Sequence, residues 1–248
     1  MKALRQATRF ELRKILLRKK YIVLPVIQGL LCLLAGLATL RSGVLSIGSF
    51  HLDAPNVSFT LLPLIAGFSL PLLICMLMAD LFAAEFENNS IKAVLLRPVS
   101  RLKIFTAKNL AAGIYVLGNL LALCLLSIVM KLVLKGTLAM AGQAITAYAV
   151  TILPMLAMIL ACGCMANLIR NASLAMFACI GLGLLLAAAS LLFSAAGAVL
   201  FTNYTGYYKI WIGGVMPWRV AATSTALLLS NVILFFVVGY LLFDNQDA

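Results

Sequence analysis

The chain has 248 residues, 64% of them hydrophobic and only 10% charged, with a mean hydropathy of +1.11. A soluble domain is about half apolar and a quarter charged, so the composition excludes a water-soluble protein and indicates a polytopic membrane protein with little soluble mass. The net charge of +12 is read as orienting the chain in the bilayer, not as binding nucleic acid.

Taken in chain order, residues 1–20 come first. At 100° per residue Lys2, Arg5, Arg9, Arg13 and Lys20 share one stripe, with Ala3, Ala7, Phe10 and Leu17 opposite. This pattern predicts a basic amphipathic helix lying along the inner leaflet, its membrane-surface contacts made by Lys2, Arg5, Arg9 and Arg13. The apolar run Tyr21–Leu40 is longer than the roughly 7–15 residues of a signal-peptide core and reads as an anchor that stays.

About 20 apolar residues cross the hydrocarbon layer as a helix. Six charge-free windows reach that length: Tyr21–Leu40, Ser58–Ala79, Asn109–Met130, Ala144–Leu168, Ser173–Leu200 and Val220–Phe243. No charge occurs from Asn171 to Tyr208, too long for one span, so part of that run is expected to be polar loop or broken helix. With the N-terminus inside, fourteen basic residues fall in inner segments and five in outer ones, which predicts both termini in the cytoplasm. The expected fold class is all-α, a single transmembrane domain over residues 1–248.

The fifth window is rich in small residues, among them Gly181, Gly183, Ala187 and Ala188, and reads as a close-packing face. The outer segment 201–219 gathers Tyr204, Tyr207, Tyr208, Trp211 and Trp218. Such residues favour the headgroup level; the sharper alternative is a re-entrant hairpin turning at Gly213–Gly214, with the same five aromatics as an outer gate. All six cysteines lie in apolar stretches and read as small hydrophobes, with no metal site.

Absences narrow the chemistry. The single histidine, His51, lies in an outer loop, which excludes a HExxH metalloprotease. There is no phosphate-binding G-x-x-x-x-G-K-[ST] motif. No charge falls near the middle of a span, which removes the usual proton relay. No catalytic residue is assigned.

The island between Asp80 and Lys108 holds three of the seven acidic residues. Asp80, Glu85 and Glu87 emerge from the second span. Asn88, Asn89 and Ser90 break the helix and can cap a new one. A short helix from Ile91 to Leu96 follows, and Pro98 ends it. Ser100 caps a restart at Arg101 that leads through Lys103 and Lys108 into the third span.

These residues resemble the first cytoplasmic loop of type-2 ABC exporter permeases. The likeness is carried by Asp80-x-x-x-x-Glu85, Asn89-Ser90-Ile91-Lys92, Leu95-Leu96-Arg97-Pro98-Val99-Ser100-Arg101 and Lys108. It covers roughly 30 residues, with Asn89 where the family often has glycine; asparagine tolerates the left-handed backbone that glycine would supply. The resemblance implies that residues 80–108 form a coupling loop docking on a separate ATPase subunit. Its contacts would be Glu85, Glu87, Asn89, Ser90, Ile91, Lys92, Leu95, Leu96 and Arg97. It further implies a second permease copy or paralogue, no cofactor on this chain, and ATP with magnesium on the partner. The apolar spans suit an amphipathic or lipophilic cargo (a peptide, lipid-like molecule or drug), in a bacterial plasma membrane. An intramembrane lipid-modifying enzyme and a non-transporting assembly or sensor subunit are the other classes open to the sequence.

Overall fold

The computed structural model describes residues 2–42, 44–47, 50–53, 57–88, 100–133, 141–192, 200–211 and 218–245. The chain begins with α1 (Lys2–Leu17) and α2 (Lys20–Ser42), then a hairpin of β1 (Val44–Ile47) and β2 (Phe50–Asp53). Val44 faces Asp53 and Ile47 faces Phe50 in an antiparallel register. The second crossing is built from α3 (Val57–Leu64), a π-helical turn (Ile65–Ser69), α4 (Leu70–Leu81) and α5 (Ala83–Glu87). Then come α6 (Arg101–Val133), α7 (Ala141–Val150), α8 (Ile152–Leu168), α9 (Ala172–Leu192), a 3-10 segment (Phe201–Trp211) and α10 (Trp218–Asp244).

Among the described residues, five helical stretches are long and apolar enough to cross a membrane: Leu61–Glu87, Arg101–Met130, Gly142–Leu168, Ala172–Ser190 and Trp218–Asp244. The apolar stretch Lys20–Leu34 within α2 is shorter. The protein is thus an all-helical, multi-pass membrane protein with one small hairpin. The hairpin was not anticipated; it holds His51.

Prolines mark some of the irregularities in the helices. Pro154 has no N–H to give to the carbonyl four residues back, and it lies near the start of α8, just after the interruption at Thr151 that separates α7 from α8. Pro71, at the start of α4, does the same to Gly67, inside the π turn. Pro25 leaves the Tyr21 carbonyl free, and the Tyr115 hydroxyl donates to it at 2.8 Å. A local defect in α2 thereby becomes a bond to α6.

The core is formed by α4, α6 and α8, with α10 laid along α8 and α2 along α6. Close contact there depends on two glycines. A Cβ at Gly239 would lie 3.0 Å from both Cys164 Sγ and the Phe105 ring, and one at Gly163 would lie 3.1 Å from Met78. The stretch Ala172–Ser190 differs: only 11% of it is buried, against 67% of Gly142–Leu168. Its small residues were expected to be a packing face, yet a Cβ at Gly181 or Gly183 would meet nothing within 4 Å. Within one copy of the chain that face is unpacked.

At 1.5 Å per residue, the 33 residues of α6 span about 50 Å, more than the roughly 30 Å hydrocarbon layer. Its first turns are packed into the bundle, with Phe105 against Phe82, Phe236 and Phe243, and α1 packs against α6. Near these turns, Arg101 donates to the carbonyl of Asp244. Both chain ends therefore lie at one end of the bundle (the terminal end), and the 3-10 segment lies at the other (the far end).

Candidate functional site: a buried ion network and a far-end cap

The terminal end is organised around Lys108, which is fully buried. The helix breaks at Phe82, so the Glu85 N–H turns to the Phe82 carbonyl at 3.1 Å and leaves the Leu81 carbonyl without its usual partner. Lys108 Nζ fills the vacancy at 2.8 Å. It also meets Glu85 Oε1 at 2.7 Å and Glu11 Oε1 at 3.6 Å. The first two are within hydrogen-bond distance, and Glu11 is held at the longer range of an ion pair. Lys14 adds a second cation to Glu85. Glu85 and Glu11 are 2% and 4% exposed, so this cluster is out of water.

A second cluster lies beside it. Asp80 accepts from the Tyr21 hydroxyl, pairs with Lys20, and meets Arg18 Nη1 at 2.8 Å. Together the clusters join α1 and the start of α2 to both arms of the 80–108 island.

The N-terminal helix forms as expected, but with three faces instead of two. Arg5, Arg9 and Arg13 are exposed along one stripe, and Phe10 and Leu17 are exposed on another. The third face, Thr8, Glu11 and Ile15, is buried. The sequence pattern hid that face because Thr8 and Glu11 look like solvated residues; their i, i+3, i+7 spacing is the signal that was available. The side chain of Lys2 lies outside the described residues.

The expected ATPase-contact residues separate into three groups. Glu85 is corrected: it faces Lys108 and Lys14 inside the protein and is not presented to a partner. Glu87 is exposed and accepts from the Ala172 N–H at 2.9 Å and the Asn171 side chain at 3.4 Å, at the N-terminus of α9. A carboxylate there complements the free N–H groups and the helix dipole. Asn89, Ser90, Ile91, Lys92, Leu95, Leu96 and Arg97 lie outside the described residues, as does the turn at Gly213–Gly214.

At the far end the 3-10 segment contacts α7, α8, α9 and α10. Tyr207 and Tyr208 are each 2% exposed, so their side chains turn into the protein and not outward as a belt would present them. Phe201 packs edge-on to Phe235, and Tyr207 to Trp211. Tyr204 and Trp211 are half-buried, whereas Trp218 is exposed. Burial pushes the Tyr208 phenol up to about 12, so it keeps its proton at neutral pH. The hydroxyls of Tyr207, Tyr208 and Thr202 and the Trp211 indole N–H are buried with no hydrogen-bond partner.

The model of the ABC-2 family transporter protein family matches residues 9–185, well over half of the chain. The chain belongs to this family. No curated protein matches it. It is therefore a type-2 ABC permease subunit, a transport component of a kind that works with an ATPase subunit. The match spans the whole ion network, from Glu11 to Lys108. It ends within α9, so the permease's aromatic cap lies beyond it.

The cysteines of the permease behave as packing residues. Cys162 and Cys164, two apart in sequence, face different neighbours. Cys162 Sγ lies 3.8 Å from Cys75 Sγ, while Cys164 Sγ donates to the Phe235 carbonyl at 3.1 Å.

Proposed function

We propose that this permease is the membrane-spanning half of an ATP-driven exporter that moves an amphipathic or lipophilic cargo outward. Six crossings place both termini and the 80–108 island in the cytoplasm of a bacterial plasma membrane. Two permease subunits, identical or paired with a paralogue, enclose the pathway. The apolar segment Ile91, Leu95 and Leu96, framed by Glu87, Asn89, Ser90, Lys92 and Arg97, docks on the ATPase that holds ATP and magnesium. The exposed residues Arg5, Arg9 and Arg13, with Lys2, rest on anionic lipid.

The observation that carries this reading is the anchoring of the island at both arms. Glu85 on the entering arm and Lys108 on the leaving arm share a buried ion pair, and Asp80 is held by the partly exposed Arg18 and Lys20. A loop with rigid bases transmits a push into the spans instead of absorbing it. Glu87, at the N-terminus of α9, would pass the same push to the fifth crossing.

The test is Leu95→Asp, followed by co-purification with the ATPase and cargo-stimulated ATP hydrolysis in proteoliposomes. Loss of a buried interface anchor costs about 2 kcal/mol or more, so both should drop sharply while the permease still inserts. Wild-type levels of both would place the docking surface elsewhere.

A further inference from the structure

Two neighbouring membrane-length stretches are interrupted at the same level. In Leu61–Glu87 the break is the π turn Ile65–Ser69, and in Gly142–Leu168 it is Thr151. Gly67 and Pro71 from the first, with Pro154 and Met155 from the second, line one cavity, so the breaks lie side by side. On their far side α3 packs against α7; on their terminal side α4 packs against α8 and α9. Helix α6, unbroken for 33 residues, touches α3, α4, α7 and α8.

The two breaks share a chemistry. The Ser69 hydroxyl donates to the Ile65 carbonyl at 3.3 Å, and the Thr151 hydroxyl to the Ala147 carbonyl at 2.8 Å. A hydroxyl bonded four residues back weakens the helix ladder and bends it. A proline follows within three residues each time: Pro71 has no N–H for Gly67, and Pro154 has none for Val150. At the π turn the Leu70 N–H reaches the Ile65 carbonyl, five residues back. In an α-turn the Ser69 N–H would take that carbonyl, so Ile65 keeps a donor in either register. Pro71 gives no N–H in either, and a Cβ at Gly67 would meet nothing within 4 Å. A change of register there forfeits little. The other end of α4 is built differently. Its break at Phe82 is closed by Lys108, which takes the Leu81 carbonyl and pairs with Glu85.

We propose that Ile65–Ser69 and Thr151–Pro154 form one hinge plane. Across it the terminal half, α4 with α8, tilts as a unit against the far half, α3 with α7, along the continuous α6. At 1.5 Å per residue α8 is an arm of about 25 Å, and a tilt of about 10° carries its end about 4 Å. As the route of the ATPase's push this rests on the exporter reading above; as a hinge it stands apart from it.

The experiment measures distances between pairs of spin labels, introduced as non-canonical amino acids, in the purified permease in nanodiscs. Leu64, Asn88, Ile145 and Leu168 are all exposed; Leu64 and Ile145 report the far half, Asn88 and Leu168 the terminal half. The pairs Leu64–Leu168 and Ile145–Asn88 span the plane and should give distributions about twofold broader than the pairs within each half, as two exchanging tilts would. Pro71→Ala with Pro154→Ala returns an N–H to each break and should narrow the spanning distances to the within-half width. Ser69→Ala with Thr151→Val should narrow them less. Gly181→Ala, where a Cβ meets nothing within 4 Å, should change nothing. Spanning distances as narrow as the others, or indifferent to both double variants, would overturn the hinge. Broadening within a half would mean that each helix bends alone, which overturns the shared plane. With the ATPase co-reconstituted, a non-hydrolysable ATP analogue should shift both spanning distances and leave the within-half ones fixed. Broad, proline-dependent distances that the nucleotide does not move would break the link to the exporter reading and leave the hinge standing.

Discussion

The two ends of this permease bury polar groups in opposite ways. At the terminal end Lys108, Glu85, Glu11, Asp80 and Tyr21 lie out of water, and Lys108, Glu85 and Asp80 each meet more than one partner. At the far end Tyr207, Tyr208, Thr202 and Trp211 are capped by one 3-10 segment and leave polar atoms without partners. Charged groups that share partners tie together the elements that carry them, whereas an unpartnered hydroxyl or indole ties nothing. The first arrangement suits a mechanical base, although Glu11 Oε2 has no hydrogen-bond partner even there.

The contrast breaks most readily at Lys108. Lys108→Met would leave Glu85 and Glu11 buried together without their shared cation. Removing one partner of a buried pair costs about 3–5 kcal/mol. The expected outcome is a large fall in thermal stability in detergent, with α1 opened to amide exchange. Replacing Lys108, Glu85 and Glu11 together with Met, Leu and Leu should restore much of the stability, because an apolar substitute for a buried pair is often neutral. If the triple variant is as unstable as the single one, the network contributes something other than paired charge.

Packing supplies a smaller effect. Gly239→Ala puts a methyl group against Cys164 and Phe105, and overpacking of this kind costs about 1–3 kcal/mol. Gly183→Leu, pointing into open space on α9, should lie within about 0.5 kcal/mol of wild type. Thermal unfolding of the two variants side by side checks the difference between a closed core and an open face.

Glu87→Gln should cost about 0.3–1 kcal/mol, the range for a charge at an exposed helix N-terminus. The loss should shrink as salt rises and should appear as faster amide exchange in the first turn of α9. Tyr208→Phe is the smallest: a hydroxyl without a partner contributes nothing when removed, so stability should stay within about 0.5 kcal/mol of wild type or rise. A large loss in that variant would mean that the Tyr208 hydroxyl is bonded after all.

Several features could be read from residues alone because each rests on local composition. The crossings appear as apolar runs, the restart at Arg101 follows Ser100, and the family likeness rests on one contiguous island. The charge-free run from Asn171 to Tyr208, too long for one span, resolves into α9 ending at Leu192 and a separate 3-10 segment from Phe201. Glu85 shows where such reading stops. In sequence it is an acid beside a loop and equally fit for a partner; only the approach of Lys108 and Lys14, 23 and 71 positions away, turns it inward.

Amphipathicity, span length and charge bias were therefore legible in the chain, since each is a property of neighbouring residues and of the solvent they meet. Three things awaited the tertiary structure: the third face of α1, the pairing of Lys108 with a carbonyl freed by a helix break, and the burial of Tyr207 and Tyr208. Each depends on which distant groups converge. In a bilayer that convergence is set by helix packing and by the need to satisfy every buried polar group, not by any local pattern.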